Sequence, residues 1–177
     1  SLDSLWFPTK GRSAVVSYTW ADRSIGASTD FDQAFSRGSF AFSRGRNTAL
    51  LNYELGYSFD DAAPVERTYR LGGFSRLSGL VPNQLFGRHL AMFSLAGYRQ
   101  LADYQLVTLY SGFTLEAGNV WETIDDIGID DLQYAASVFF GADTPIGPVY
   151  LALGHIDSGD TALYFYVGNP FRVSRFD

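Results

Sequence analysis

The sequence predicts an all-β fold, an antiparallel transmembrane β-barrel of eight meander strands. Three observations predict it. Eight segments alternate apolar and polar residues with period two, and several run to about ten residues or more, against about five to six for a usual strand. Their polar faces carry Ser, Thr, Gly and Asn rather than the Lys and Glu of a solvated sheet. The breakers between segments are short at every second junction and mostly longer at the others, as in outer-membrane barrels.

The elements follow in order. Residues 1–11 hold Pro8 and Gly11 as breakers, with Trp6 and Phe7 as an aromatic pair. Residues 13–21 set Ala14, Val16, Tyr18 and Trp20 against Ser13, Val15, Ser17 and Thr19. A polar loop with Gly26 leads to a weaker strand over 31–43, with Phe40 and Phe42 on one face, and then to a turn around Gly45. Residues 48–59 alternate most clearly: Leu51, Tyr53, Leu55, Tyr57 and Phe59 against Asn52, Glu54, Gly56 and Ser58. Further strands are expected over 89–100, 106–120, 132–141, 149–156 and 161–168, with tight turns at 101–104, 143–148 and 157–160. Trp20, Tyr57, Phe59, Tyr98 and Tyr164 to Tyr166 near strand ends suggest interfacial girdles.

Residues 68–87 stand apart. They combine Gly72, Gly73, Gly79, Pro82 and Gly87 with Leu71, Phe74, Leu77 and Leu80. A strand tolerates few such glycines, and a disordered loop has no need of such apolar side chains. The expectation is a long ordered loop, packed against the barrel and functional.

Composition sets the bounds. The 177 residues suit one domain, expected over 1–177. The net charge of −6 argues against nucleic acid. No cysteine is present, so there is no disulfide frame. Aromatic residues make up 16%, and the mean hydropathy is −0.03. No window has the roughly 18 apolar residues of a spanning helix, whereas alternating membrane strands average to such a neutral value. No signal-peptide pattern opens the chain, so an exported protein is read here as a mature form or a fragment.

Several motifs then fall in a telling order. Asp3, Phe7, Pro8 and Gly11 resemble the D-x-x-x-F-P-x-x-G entry to the later strands of bacterial surface antigen barrels. Leu71-Gly72-Gly73-Phe74 falls where that superfamily has V-R-G-F or V-R-G-Y, at the tip of a loop folded into the barrel. Glu116 to Glu122 resembles its D-x-G-x-V-W-D strand end, and Thr144 to Val149 its T-P-I-G-P-L turn. Leu163, Phe165, Val167, Gly168 and Phe171 resemble its terminal assembly signal. The resemblance covers essentially the whole chain and corresponds to strands nine to sixteen of a sixteen-stranded barrel. It is most similar to the barrel of patatin-like (type V-d) autotransporters.

The resemblance implies a bacterial outer-membrane location, lipid and the barrel-assembly machinery as partners, and an upstream passenger or a second copy. It implies a loop motif of Arg70, Leu71, Gly72, Gly73, Phe74 and Arg76, and lumen-facing acids at Glu116 and Glu122. Gly72 replaces the motif Arg, and Ala96 or Gly97 replaces an acid of the following strand. Arg70 or Arg76 is then expected to take over the pairing, or the acids face water. The lipase passenger motifs are absent, so no enzymatic activity is carried over.

No cofactor or metal is expected. His89 and His155 lack metal-like company. Glu122, Asp125, Asp126, Asp130 and Asp131 lack Ca²⁺-loop spacing and suit a solvated external loop. His155, Asp157 and Ser158 at a hairpin tip read as turn formers. The expected role is the membrane-embedded barrel segment of an outer-membrane translocation, assembly or autotransporter system, anchoring or exporting a passenger. One alternative is a self-contained eight-stranded outer-membrane barrel with a structural or adhesive role. The other is a soluble small-molecule-binding barrel. In lipid an open sheet must be completed, by self-closure, by a missing half or by a second copy, and self-closure is the expected solution for the isolated chain.

Overall fold

A computed structural model describes residues 2–4, 7–26, 30–59 and 68–168. Eight antiparallel strands form one meander sheet: β1 (Gly11–Ala21), β2 (Phe31–Arg44), β3 (Asn47–Ser58), β6 (His89–Asp103), β7 (Thr108–Trp121), β8 (Gln133–Asp143), β9 (Val149–Ile156) and β10 (Thr161–Val167). Between β3 and β6 lies a small ribbon of β4 (Tyr69–Leu71) and β5 (Leu85–Gly87). No α-helix occurs among the described residues, and none of their helical turns is long and apolar enough to cross a membrane.

The period-two pattern sets the pleat, and the register keeps each face uniform. Leu51 faces Phe40 on β2 and Leu95 on β6. Leu115 likewise joins Leu95 to Ala136. These side chains, with Val16, Phe93, Val138, Leu153 and Phe165, form one exposed apolar face across the sheet. Outward glycines lie beneath aromatic neighbours: Gly38 under Tyr53 and Gly97 under Phe113.

The other face is concave. Tyr98 on β6 and Tyr150 on β9 both lie within 5.8 Å of the Phe7 ring. Three strand steps on a flat sheet set them about 14 Å apart. Two clusters fill the hollow. Phe7, Leu50, Phe74, Tyr98, Phe139 and Tyr150 anchor one, and Leu71, Leu77, Leu80, Leu90, Met92 and Ile156 anchor the other.

Short turns gather at one end of the sheet. Gly45 turns β2 into β3 with φ +63°, and Tyr104 and Val107 exchange backbone hydrogen bonds between β6 and β7. That second turn lies later than the expected 101–104. β6 continues to Asp103 through a bulge between Gln100 and Ala102, which absorbs one extra residue. Except for the Asp157–Asp160 turn, the opposite end carries the longer connections.

Two expectations are corrected. The self-closed barrel does not form: among the described residues β1 pairs only with β2 and β10 only with β9, so the sheet stays open. An eight-stranded barrel has an interior just wide enough for its own side chains. Here a whole loop and the Phe7 segment occupy that space. Tyr98 and Tyr164 are not girdle residues either. Both share the inner parity of their strands and are buried, at 4% and 6% exposure.

Inner glycines make room for the loop. A Cβ on Gly154 would lie 2.4 Å from Ser78 Cβ and 2.9 Å from its carbonyl carbon. For a Cβ on Gly97 the nearest atoms are those of the exposed Phe113 ring, from 2.7 Å. Gly154→Ala is therefore expected to destabilise the fold by about 1–3 kcal/mol through overpacking against backbone. Gly97→Ala, whose neighbour is free to swing outward, should cost clearly less. Urea unfolding of both variants checks this, and equal costs would contradict the inner packing.

Candidate functional site

The site is the anchored loop of residues 68–87 on the concave face. Its backbone is unusual. Gly72, Gly73 and Gly79 have positive φ, and so do Ser75, Leu77 and Asn83. Among the described residues these last three are the only non-glycines with positive φ. Such conformations cost on the order of 1–3 kcal/mol each and persist where the surroundings over-determine them. Burial of Leu77 and tight turns supply that support: Arg76 N–H donates to Gly73 O at 3.0 Å, and Leu80 N–H to Leu77 O at 3.2 Å.

Two wall carboxylates hold the loop. Arg76 grips Glu54 of β3 in a fork, Nε to Oε1 at 3.1 Å and Nη2 to Oε2 at 3.0 Å. The same Nη2 donates to the Arg70 carbonyl at 2.8 Å, which ties the guanidinium to its own loop. This geometry is the strong form of an ion pair. Glu116 of β7 instead accepts from the Ser78 N–H and hydroxyl, both at 2.6 Å, and from the Thr114 hydroxyl. Thr114 in turn meets the Ser137 hydroxyl of β8.

A tyrosine completes the anchorage. Tyr164 Oη of β10 accepts from Gly79 N–H and donates to Leu80 O, both at 2.7 Å. Tyr69 Oη donates to Ala34 O of β2 at 2.9 Å, and Gly56 leaves space for its ring. Phe74 enters an aromatic cage, with the rings of Phe139, Tyr150, Tyr164 and Tyr166 between 5.6 and 6.3 Å away. Each such pair adds about 0.5–1.5 kcal/mol beyond area burial.

The expected pairing of Arg70 or Arg76 with Glu116 or Glu122 does not form: Arg76 is taken by Glu54, Glu116 is buried on Ser78 and Thr114 donors, and Glu122 stands beside Arg88. Arg70 is exposed and contributes only its carbonyl. Gly72 has φ +125°, and a Cβ there would lie 2.6 Å from Val81 O. No side chain fits at that position, so the guanidinium enters four residues later. Ala96 is buried on the inner face, and Gly97 points outward.

Glu116 is buried on the concave face. Glu122 is not. It follows the end of β7, its side chain is 54% exposed, and it stands 3.9 Å from Arg88 Nε. Three residues of this site were missed in the sequence as loop anchors: Glu54, Ser78 and Tyr164. Glu54 carried a signal, being an acid on an otherwise small, polar strand face.

The remaining motifs find local roles. The Asp3 carboxylate caps Thr9 N–H at 2.8 Å and Lys10 N–H at 3.0 Å and takes the Thr9 hydroxyl. Burial pushes its carboxyl up, but the Thr9 hydroxyl and these two N–H groups together bring it below its ordinary value. The turn so formed inserts Phe7 among Tyr98, Tyr110 and Tyr150, and the Tyr98 hydroxyl donates to Pro8 O. The Thr144 hydroxyl closes its turn on Gly147 O at 2.6 Å, and Gly168 N–H reaches Pro148 O at 2.8 Å. Leu163, Phe165 and Val167 point outward and are exposed. Phe171 lies outside the described residues.

His89 is buried against the Tyr57 ring at 4.7 Å, and His155 Nδ1 meets the Thr161 hydroxyl at 2.9 Å. Among the described residues no group of three or more His, Cys, Asp or Glu is placed to hold a metal.

Removing one partner of a buried pair leaves the other charge uncompensated. Arg76→Ala is expected to cost about 3–5 kcal/mol, at the lower end because Arg37 faces Glu54 across the strands. Adding Glu54→Leu to that variant should recover part of the loss, because the orphaned charge disappears. A double-mutant cycle by urea unfolding measures the coupling, and strictly additive costs would mean that the two side chains act independently.

A comparison with protein-family models finds none that matches the chain.

Proposed function

We propose that this chain is the membrane-embedded barrel segment of a bacterial outer-membrane protein that anchors or exports a passenger. The observation that carries this reading is sidedness. The large apolar side chains of the main sheet stand on its convex face, and many are about half exposed or more. A soluble monomer seldom exposes a contiguous apolar patch beyond a few hundred Å². Hydrocarbon is the solvent that such a face suits, and strands are one of two structures that satisfy their backbone there.

The concave face supports the same reading. It carries the ion pair, the Ser and Thr hydroxyls and the loop, where a ligand-binding soluble barrel keeps an apolar cavity. On this proposal the loop acts as an internal plug, held by Arg76 and Ser78, that sets the width of the interior. The motifs shared with bacterial surface antigen barrels favour a role in translocation or anchorage over a purely adhesive one. The barrel-assembly machinery would insert the chain through its outward Leu163, Phe165 and Val167 strand. The proposed role involves no catalytic step.

Arginine substitutions test the lipid-facing assignment. Leu51→Arg and Leu55→Arg should each cost about 2–4 kcal/mol in a bilayer-folding titration. Val15→Glu, whose side chain takes the inner parity opposite Arg37, should cost under about 1 kcal/mol. Similar costs on both faces, or stable folding without lipid or detergent, would overturn the membrane reading.

A further inference from the structure

We infer that the outer face binds a membrane lipid with a primary-ammonium headgroup, its acyl chain in a groove on the strands and its ammonium among acids of the connection between β7 and β8. This rests on the membrane reading above. Two hollows adjoin there. The first is an apolar groove of about 300 Å³, lined in part by Val16, Leu55, Tyr57, Ala91, Trp121 and Ile127. Ordinary ligand pockets span about 300–1,000 Å³, so one chain of a lipid suits it. The second is polar, with Asn119, Asp125, Asp126 and Asp131 on its walls, and it shares Trp121 and Ile127 with the first.

Register explains the groove. Val16 faces Ser36, Ser36 faces Leu55, Leu55 faces Ala91, and Ala91 faces Asn119. Small Ser36 and Ala91 therefore lie low between larger neighbours on this outward row. One pairing step nearer the sheet's end, the Tyr57 ring packs on His89 at 4.7 Å, and His89 faces Trp121. Aromatic rings at a strand end suit the headgroup level of a bilayer. The acids belong to the connection that follows the end of β7 at Trp121. The site thus passes from apolar strands, through aromatic rings, to carboxylates. A lipid presents chain, ester and head in the same order.

Three observations select the head. Among the described residues no cation lies within ion-pair distance of Asp125, Asp126 or Asp131. Asp126 takes the Thr123 hydroxyl at 2.6 Å, which orients the carboxylate without neutralising it. A cationic head complements this charge. No group of three or more acids or histidines among the described residues is placed to hold a metal. An organic ammonium, which has no fixed coordination geometry to satisfy, is the better match. Trp121 is 8% exposed, yet its indole N–H has no hydrogen-bond partner among the described residues. A buried donor without an acceptor calls for one, and the ester and phosphate oxygens of a phospholipid lie between chain and ammonium. A primary ammonium donates three hydrogen bonds to carboxylates, whereas a trimethylammonium donates none.

The chain has three tryptophans, and Trp6→Phe with Trp20→Phe leaves Trp121 alone. This variant is folded into phosphatidylcholine vesicles. They are doped with phosphatidylethanolamine, phosphatidylcholine or phosphatidylglycerol brominated on one acyl chain. Bromine quenches the indole fluorescence on contact. Protease protection of the strands reads membrane insertion separately. Native mass spectrometry of the unaltered chain, released from mixed vesicles into detergent, reads the same preference without any substitution.

Phosphatidylethanolamine is expected to exchange onto the site over phosphatidylcholine by roughly two- to five-fold, the strength of an exposed ion pair. Asp125→Asn, Asp126→Asn and Asp131→Asn together should abolish that preference. Ala91→Leu should weaken quenching by filling the groove. Inserted protein that binds all these lipids equally, or a preference that survives the loss of the acids, would overturn the inference. A preference for phosphatidylglycerol in the presence of Mg²⁺ would overturn it in favour of an anionic head bridged by metal. Failure to insert would overturn the membrane reading and this inference with it.

Discussion

Glu116 is the constraint on which the rest of the structure depends. It is buried on the inner wall, and among the described residues no cation lies within ion-pair distance of it. A buried carboxylate without partners is untenable. Its partners come from Ser78 at the turn of the loop and Thr114 two residues back. Ser78 reaches it because Gly154 offers no side chain and Gly79 adopts φ +121° beside Tyr164. The loop is therefore held in the hollow by groups that would be costly to leave unmet. Arg76 repeats the logic on β3 with a charge pair instead of neutral donors.

The bulk of the loop sets the shape of the sheet. Leu71, Phe74, Leu77 and Leu80 are all buried, and together with Phe7 they take up space that a narrow barrel reserves for its own side chains. The sheet curls around this filling without closing. Outer-face residues have no such filling against them. Their exposure follows from the same pleat that turns Glu54 and Glu116 inward.

The strands and their faces were legible because a period of two is a local property. Leu51, Tyr53 and Leu55 separate from Asn52 and Glu54 whatever lies on either side. Turn residues such as Gly45 and Thr144 to Pro148 were legible for the same reason. What sequence could not supply was long-range or three-dimensional. The Arg76 and Glu54 partnership spans 22 positions, and alternation does not say which of Arg70 and Arg76 points at the wall. Tyr98 and Tyr164 looked like girdle residues because aromatic type and strand-end position do not reveal parity relative to a buried loop. Self-closure was expected because it needs no partner and keeps two copies of the loop out of one lumen, with the loop left outside the barrel or over its mouth. The loop instead folds into the hollow, where its buried Leu71, Phe74, Leu77 and Leu80 take up the space that closure would need.

The central claim is that the apolar face is the outside, in lipid, and the loop the inside. Spin labels placed one at a time along β3 and β8, with the protein in bilayers, test it most directly. Collision with oxygen, which partitions into hydrocarbon, is compared with collision by a water-soluble nickel chelate. The account predicts a period-two alternation, with high oxygen access at positions 51, 53, 55, 138 and 140 and low access at 52, 54, 137 and 139. An alternation of opposite phase, or dominant chelate access at the outward positions, would contradict it.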